Sequence, residues 1–150
     1  MLGESLEARR GKVVGRIRQV RKSYEVCVKD VLPDVANRGS EWSIADLLRH
    51  VMGGYGGMLT RLLEEDGPNL GGRFDLDEAW KRATAAALEH MDQTIVTASG
   101  LTAEQLGRTG QRDGQSIGVL DVLSLMADHY LEHLNQLIDE VRPREGLPRL

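Results

Sequence analysis

The sequence predicts an all-α protein, a four-helix bundle. Four long segments of the 150 residues carry apolar side chains at spacings of three and four, which is the period that places them on one face of an α-helix. No segment stands out as a β-strand. Amphipathic helices bury their apolar faces against one another, and four helices of this length pack as a bundle.

The first helix is predicted from Ser5 to about Val31, because Pro33 cannot continue it. The lone cysteine, Cys27, lies in the apolar stripe and is expected to be a small buried hydrophobic residue rather than a reactive thiol. The stripe as a whole consists of Val13, Ile17, Val20, Tyr24, Cys27 and Val31.

The second helix is predicted to begin at Ser43, a natural N-cap that Asp46 supports three residues later, and to end near Gly67 and Pro68. The segment "MGGYGG" falls inside it, and each glycine in a helix costs about 1 kcal/mol relative to alanine. We therefore expect close helix packing at this segment, including across a dimer, with extra room beside a functional site as the alternative. The glycines are Gly53, Gly54, Gly56 and Gly57.

The third helix is predicted to open at Asp75, with Glu78 at its N3 position and Trp80 on its inner face. It ends at Ser99 and Gly100. A connection of roughly 15 residues follows, which is long for a bundle.

That connection should contain one short helical turn, capped by Thr102 and Gln105. The fourth helix is predicted after Ser116 and ends at about Arg142, before Pro143. The tail 143–150 is expected to be loose, and the chain 1–150 is expected to form a single domain.

Composition narrows the functional class. The chain carries a formal net charge of -4, which disfavours a general nucleic-acid-binding protein. Seven basic residues lie between Arg9 and Lys22, and a solvated helix face is favoured over a surface for an anionic partner. No apolar run reaches the roughly 20 residues that span a bilayer, and the polar N-terminus lacks the core of a signal peptide. We expect a cytoplasmic protein that binds neither membranes nor nucleic acid.

Two of the four histidines, His129 and His133, lie one helical turn apart in "ADHYLEHLNQL". On a helical wheel both lie within about 60° of Met126 on the apolar stripe, so both rings face the bundle interior. Neutral imidazoles need polar partners there, and the spacing also allows two rings to bind one metal ion. Hydrogen-bonded core histidines are the alternative interpretation.

Two known metal motifs do not fit. "HYLEH" has the His-x-x-Glu-His pattern of inverzincin peptidases, with Glu132 as base, but the acidic residues after His133 lie on the same helix or in the tail. The Glu-x-x-His pairs of di-iron bundles do not occur. A third ligand has to be His50 or His90, and helical-wheel geometry does not separate these two.

Two segments resemble the DinB-like superfamily. "EWSIADLLRHV", with Trp42 eight residues before His50, is similar to the signature of its second helix. "GQSIGVLDVLSLMADHYLEHLNQL" resembles its last helix, in which His-x-x-x-His is followed by a glutamine, here Gln136. The resemblance covers helices two and four well, and helices one and three only in length and amphipathicity.

The resemblance implies an up-down-down-up bundle, often a homodimer, with one divalent metal ion, nickel or zinc. It assigns the metal ligands as His50, His129 and His133 and leaves His90 as a surface or rim residue. Tyr55, Tyr130 and Gln136 are candidate neighbours of the site, although packing is the favoured role of both tyrosines.

Characterised members of the superfamily are S-transferases and isomerases that use low-molecular-weight thiols such as bacillithiol or mycothiol. The resemblance therefore implies metal-dependent transfer of such a thiol to a small-molecule electrophile. The catalytic and thiol-binding residues are not identifiable from the sequence. The alternative is a non-catalytic, dimeric, stress-related bundle that binds a metal or another ligand.

Overall fold

The computed structural model describes residues 3–38, 43–53, 55–70 and 83–150, with side chains from residue 87 in the last range. The predicted residues Trp42, Gly54, Asp75, Glu78 and Trp80 lie outside the described residues. In chain order the elements are α1 (Leu6–Val28), α2 (Pro33–Ala36), α3 (Ile44–Met52), α4 (Tyr55–Glu64), α5 (Ala83–Ser99), α6 (Ala103–Leu106), β1 (Thr109–Arg112), β2 (Gln115–Gly118), α7 (Val119–Gln136), a π-helical turn (Leu137–Val141) and α8 (Arg142–Arg144).

The predicted four-helix bundle is confirmed, with up-down-down-up topology. Its four members are α1, the pair α3 and α4, α5, and α7. Helix α1 packs against both α5 and α7. The pair α3 and α4 also packs against both, because α3 contacts α5 and α4 contacts α7. Side chains from all four members form one continuous apolar core. The last helix therefore lies between the first and second members, in reach of residues on both.

The first helix forms as predicted, although it ends at Val28 rather than Val31. The Ser5 side chain accepts a hydrogen bond from the Ala8 backbone N–H and so caps the helix. Cys27 is 2% exposed, which confirms its expected burial, and burial raises the pKa of its thiol.

The second helix is divided at Gly53, so the prediction of one continuous helix is wrong. The Ser43 hydroxyl accepts from the Asp46 backbone N–H at 3.0 Å, as the sequence predicts. At Gly53, however, the backbone is extended, with φ -78° and ψ 175°. Glycine loses the most backbone entropy on entering a helix, so an interruption costs least there. The break separates α3, which carries His50, from α4.

Another glycine of the same segment permits a close approach between helices. A Cβ atom on Gly56 would lie 3.3 Å from Cε1 of His90, tighter than ordinary van der Waals contact. The expected close packing is thus present within the chain, where α4 approaches α5. Packing of these glycines across a dimer stays a prediction.

The connection before α7 contains a β-hairpin, contrary to the expectation that the chain has no strand. β1 and β2 pair antiparallel, with Arg112 opposite Gln115. The turn residues Asp113 and Gly114 have φ values of 51° and 79°. Asp-Gly is a preferred sequence for a two-residue turn in which both residues have positive φ. The turn signal is present in the sequence, but strands of four residues are too short to show alternation.

The hairpin is attached to the segment that follows α4. The Gln111 N–H donates to the Pro68 carbonyl at 2.8 Å, and the Leu70 N–H donates to the Gln111 carbonyl at 2.6 Å. A Cβ on Gly110 would lie 2.4 Å from the Pro68 carbonyl oxygen, so only glycine fits there. These contacts fix the hairpin relative to α4.

The short helix of the connection forms with the predicted capping box between Thr102 and Gln105. The last helix begins at Val119, after Ser116 as predicted, and Ser116 itself belongs to β2. The Asp121 carboxylate accepts a hydrogen bond from the Gly118 N–H at 2.8 Å and helps to cap α7. Pro143 does not end the helix sharply, since it occupies the first turn of α8, where no backbone N–H is needed.

Arg142 connects the end of the last helix to the first helix. Its side chain is 1% exposed, and its guanidinium donates to both carboxylate oxygens of Asp30 at 2.7 and 2.9 Å and to the Cys27 carbonyl at 2.6 Å. It also donates to the Pro148 carbonyl at 2.8 Å, which ties down part of the tail that the sequence suggests is loose.

The basic residues of α1 mostly pair with carboxylates of the same chain: Arg9 with Asp121, Lys12 with Glu4, Arg16 with Asp128, and Arg21 with Glu25 and Asp92. This arrangement agrees with a solvated helix face. Among the described residues, no helix combines the length and apolar character needed to cross a membrane.

Candidate metal centre

Three histidines from two members of the bundle converge on one point. His50 lies in the last turn of α3, and His129 and His133 lie one turn apart on α7. One nitrogen of each ring is within 4.8 Å of the corresponding nitrogens of the other two. The structure thus brings together the three residues that the resemblance assigns as ligands.

The spacing of the ring nitrogens suits a single ion. The Nε2 atom of His129 is 3.1 Å from Nε2 of His50 and 3.1 Å from Nε2 of His133. Imidazole nitrogens bind zinc at about 2.0–2.1 Å, so two ligands on one ion are separated by about 3.0 Å at a right angle and about 3.3 Å at the tetrahedral angle. Both observed separations fall in this interval.

The three rings differ in their exposure to solvent. His133 is 8% exposed, His129 is half-buried and His50 is exposed. The cluster therefore lies where the bundle interior meets the surface, with its open side at His50. A ligand from solution could reach it without a change in the helix packing.

Gln136 orients one of the rings. Its Oε1 atom is 2.8 Å from Nδ1 of His133, one turn further along α7. Because an amide oxygen only accepts hydrogen bonds, Nδ1 carries the proton and the lone pair of Nε2 points at the cluster. Hydrogen bonds of this kind to the second ring nitrogen are typical of metal-binding histidines. The expectation that Gln136 neighbours the site agrees with this contact.

The site favours neutral imidazoles. Burial lowers the pKa of His129 to about 4, assisted by the nearby rings of His133 and His50 and opposed by the backbone of Val51. Burial and His133 also lower the pKa of His50, while the Glu132 carboxylate opposes this shift. Neutral rings at physiological pH have the free lone pair that a metal ion requires.

The comparisons with known proteins agree with the fold. A family model of the DinB superfamily matches residues 9–137, most of the chain. The chain belongs to the DinB superfamily. Among solved structures it is similar to YfiT from Bacillus subtilis, with a TM-score of 0.69 and 18% sequence identity over 99% of this chain and 93% of that chain. YfiT is described as a probable metal-dependent hydrolase with an unusual four-helix bundle topology. No curated protein matches the chain significantly.

In this DinB-superfamily chain the fourth histidine has a different environment. His90 lies on α5 and is partly buried, which agrees with a rim position rather than a fully exposed one. Its Nε2 is 2.7 Å from the Tyr130 hydroxyl. Burial lowers the pKa of His90 to about 4 and raises that of Tyr130, so the hydroxyl donates to a neutral ring. The favoured packing role of Tyr130 agrees with its 1% exposure.

One wall of the site is formed by Tyr55 on α4 and Arg112 on β1, two elements that are far apart in the sequence. The Tyr55 ring meets the His129 ring edge-on, with centroids 5.4 Å apart. The guanidinium carbon of Arg112 lies 5.7 Å from the Tyr55 centroid, over the ring. Tyr55 is a candidate from the sequence, but Arg112 is not, because only the hairpin and its contact with the segment after α4 bring it here. Glu132 is exposed, as expected of a solvated residue.

Proposed function

We propose that this chain is a metal-dependent enzyme in which His50, His129 and His133 hold one divalent ion, nickel or zinc. The observation that carries the proposal is the convergence of three ring nitrogens within 4.8 Å of one another, with Nε2 of His129 3.1 Å from Nε2 of both His50 and His133. The structural similarity to YfiT, a probable metal-dependent hydrolase, supports it. The family membership supports it as well, since the ligands lie in the two segments that resemble the superfamily.

Three neutral nitrogen ligands leave at least one position for another molecule, which is typical of catalytic rather than structural metal sites. When bound, such an ion lowers the pKa of a coordinated water or thiol and so supplies a nucleophile near neutral pH. The protein's contribution is orientation and access. Gln136 holds the His133 ring in the required tautomer, and the exposed edge at His50 admits the reactants.

Transfer of a low-molecular-weight thiol to a small electrophile is the reaction that we favour, following the resemblance to the thiol-using members. A metal-activated water, and hence hydrolysis, is the second candidate and is favoured by the description of YfiT. A non-catalytic, stress-related metal-binding bundle remains the alternative. We keep the homodimer, the cytoplasmic location and the absence of nucleic-acid and membrane binding as predictions.

The choice between thiol and water can be tested with cobalt-loaded protein. Addition of a low-molecular-weight thiol should produce a thiolate-to-metal absorption band, because a coordinated thiol loses its proton. The band should be absent in His133→Ala. A metal-loaded protein that gives no such band but hydrolyses esters or amides would contradict thiol transfer and favour activated water. A loaded protein that shows neither would favour the non-catalytic alternative.

Metal binding should tolerate moderate acid. Protons compete with the metal for each imidazole, so affinity falls as pH is lowered. Since the pKa of His129 is lowered to about 4, this ring stays neutral well below the pH at which an ordinary histidine is protonated. We expect a measurable part of the affinity to remain at about pH 5, and equilibrium dialysis across a pH series measures it. Complete release of the metal by about pH 6 would contradict this expectation.

A further inference from the structure

Arg112 lies near the candidate metal centre, from which the Tyr55 ring separates it. The guanidinium carbon of Arg112 lies over the Tyr55 ring, 5.7 Å from its centroid, and the same ring meets the His129 ring edge-on. Arg112 is the last residue of β1, directly before the Asp113–Gly114 turn. The contacts of Gly110 and Gln111 with Pro68 hold this strand against the segment after α4, so the position of Arg112 relative to α4 is fixed.

Within the described ranges, no carboxylate lies within ion-pair distance of Arg112. Most other arginines described there do have such a partner, on the surface as well as in the core. Two carboxylates share the surface depression around Arg112, but neither pairs with it. Asp121 pairs with Arg9 and accepts from the Gly118 N–H, and Asp113 lies exposed in the turn.

Charge near the triad favours an anionic ligand. Three neutral imidazoles do not compensate the charge of a bound divalent ion. The exposed Glu132 carboxylate acts on His50, whereas Arg112 adds a permanent positive charge near His129, beyond the Tyr55 ring. A partly buried arginine is more stable when an anion pairs with it. A carboxylate is a good match, because its two oxygens accept from two parallel N–H groups of the guanidinium. The cation–π contact with Tyr55 does not neutralise the charge of the guanidinium.

We propose that Arg112 binds a carboxylate of the molecule that occupies the metal centre, and so selects carboxylate-bearing substrates or thiols. This inference rests on the proposed metal site. It makes Arg112 a specificity residue, with Tyr55 as the spacer between the carboxylate and the metal ion. The reacting group of the molecule would face the histidines, and its carboxylate would face the hairpin.

Hydroxamates test the proposal, because they bind nickel and zinc whichever reaction the site performs. A series with carboxylate-bearing tails of increasing length is compared with amide-tailed partners by calorimetry on metal-loaded protein. We expect the best carboxylate to bind at least about tenfold more tightly than its amide, as for one charge-assisted pair. In Arg112→Gln this preference should vanish, while metal content and the affinity for the amide stay unchanged. Arg112→Lys should keep only part of it, because lysine lacks the planar fork.

Arg18→Gln is the matched control, since it removes the same charge from an exposed position on α1. Equal affinity for the two probes, or a preference that survives Arg112→Gln, would overturn the proposal while leaving the metal site intact. If Arg18→Gln also removes the preference for the carboxylate-tailed probe, the preference reflects general charge attraction, and the proposal is overturned as well. A phosphonate-tailed probe that binds better than every carboxylate would overturn the choice of carboxylate.

Failure of the proposed metal site can be distinguished from failure of the Arg112 proposal. If wild-type protein takes up no metal, the proposed function fails, and Arg112 is then tested alone by titrating metal-free protein with acetate. A change in the NMR signal of the Arg112 side-chain N–H that is absent at Arg18 would support an anion site at the hairpin. Equal, weak changes at both arginines would overturn it.

Discussion

Replacement of His129 with alanine is expected to remove most of the metal from the purified protein. Wild-type protein, prepared without chelators, should carry close to one nickel or zinc ion per chain. His129 is the central ligand, since its Nε2 is 3.1 Å from the Nε2 atoms of both His50 and His133. Its loss leaves only two ligands, His50 and His133, which come from different helices. We expect the metal affinity to fall by two or more orders of magnitude, which corresponds to about 3 kcal/mol.

His50→Ala and His133→Ala should have the same effect, and elemental analysis of each variant measures it. His90→Ala is the control: it removes a partly buried histidine of the same bundle that contacts Tyr130 rather than the triad. Circular dichroism should show that the helices persist in the triad variants, because the apolar core does not depend on the ion. Retention of full metal content in His129→Ala, or its loss only in His90→Ala, would contradict the assigned ligand set.

Asp30→Asn should destabilise the fold by about 2 kcal/mol. The substitution preserves shape but removes the charge that faces Arg142, whose side chain is 1% exposed and so cannot turn to water. The loss of one partner of a fully buried pair costs about 3–5 kcal/mol, and the 43% exposure of the Asp30 side chain reduces this. Urea denaturation followed by circular dichroism gives the change in the free energy of unfolding.

The control is Asp128→Asn, which breaks the exposed pair with Arg16 and should cost at most about 0.5 kcal/mol.

The contribution of the Asp30–Arg142 pair to stability depends on pH. The hydrogen bonds from Arg142 hold the pKa of Asp30 below its ordinary value. The pair therefore stabilises the fold at neutral pH, and this contribution is lost as the pH falls below about 4. Equal stability of wild type and Asp30→Asn at neutral pH would contradict this account.

The sequence predicts part of the candidate site through helical spacing alone. Neighbouring turns on one helix place His129 and His133 on the same face wherever α7 lies, so their proximity follows from local geometry. The choice between His50 and His90 does not, because each lies at the edge of an apolar stripe and the outcome depends on how the helices rotate when packed. Only the resemblance to a family separates them. The structure places His50 with the pair and turns His90 toward Tyr130.

The departures from prediction also have physical causes. Helical periodicity is insensitive to a local break, so Gly53 can interrupt the second helix while residues on either side keep the apolar pattern. The hairpin has only four residues in each strand, and its position is set by contacts with Pro68, more than forty residues earlier. Arg112 becomes a neighbour of the candidate centre through those contacts, which leave no periodic trace in the sequence.

The π-helical turn at Leu137–Val141 changes which face of the last helix the following residues occupy. A π turn accommodates about one extra residue, and one residue of an α-helix corresponds to a rotation of about 100°. His129, His133 and Gln136 precede the turn, whereas Arg142 follows it and reaches Asp30 on the other side of the interface. Gain or loss of one residue here would redirect Arg142 without moving the histidine pair. The π turn therefore separates the part of the last helix that carries the candidate ligands from the part whose Arg142 holds it to the first helix.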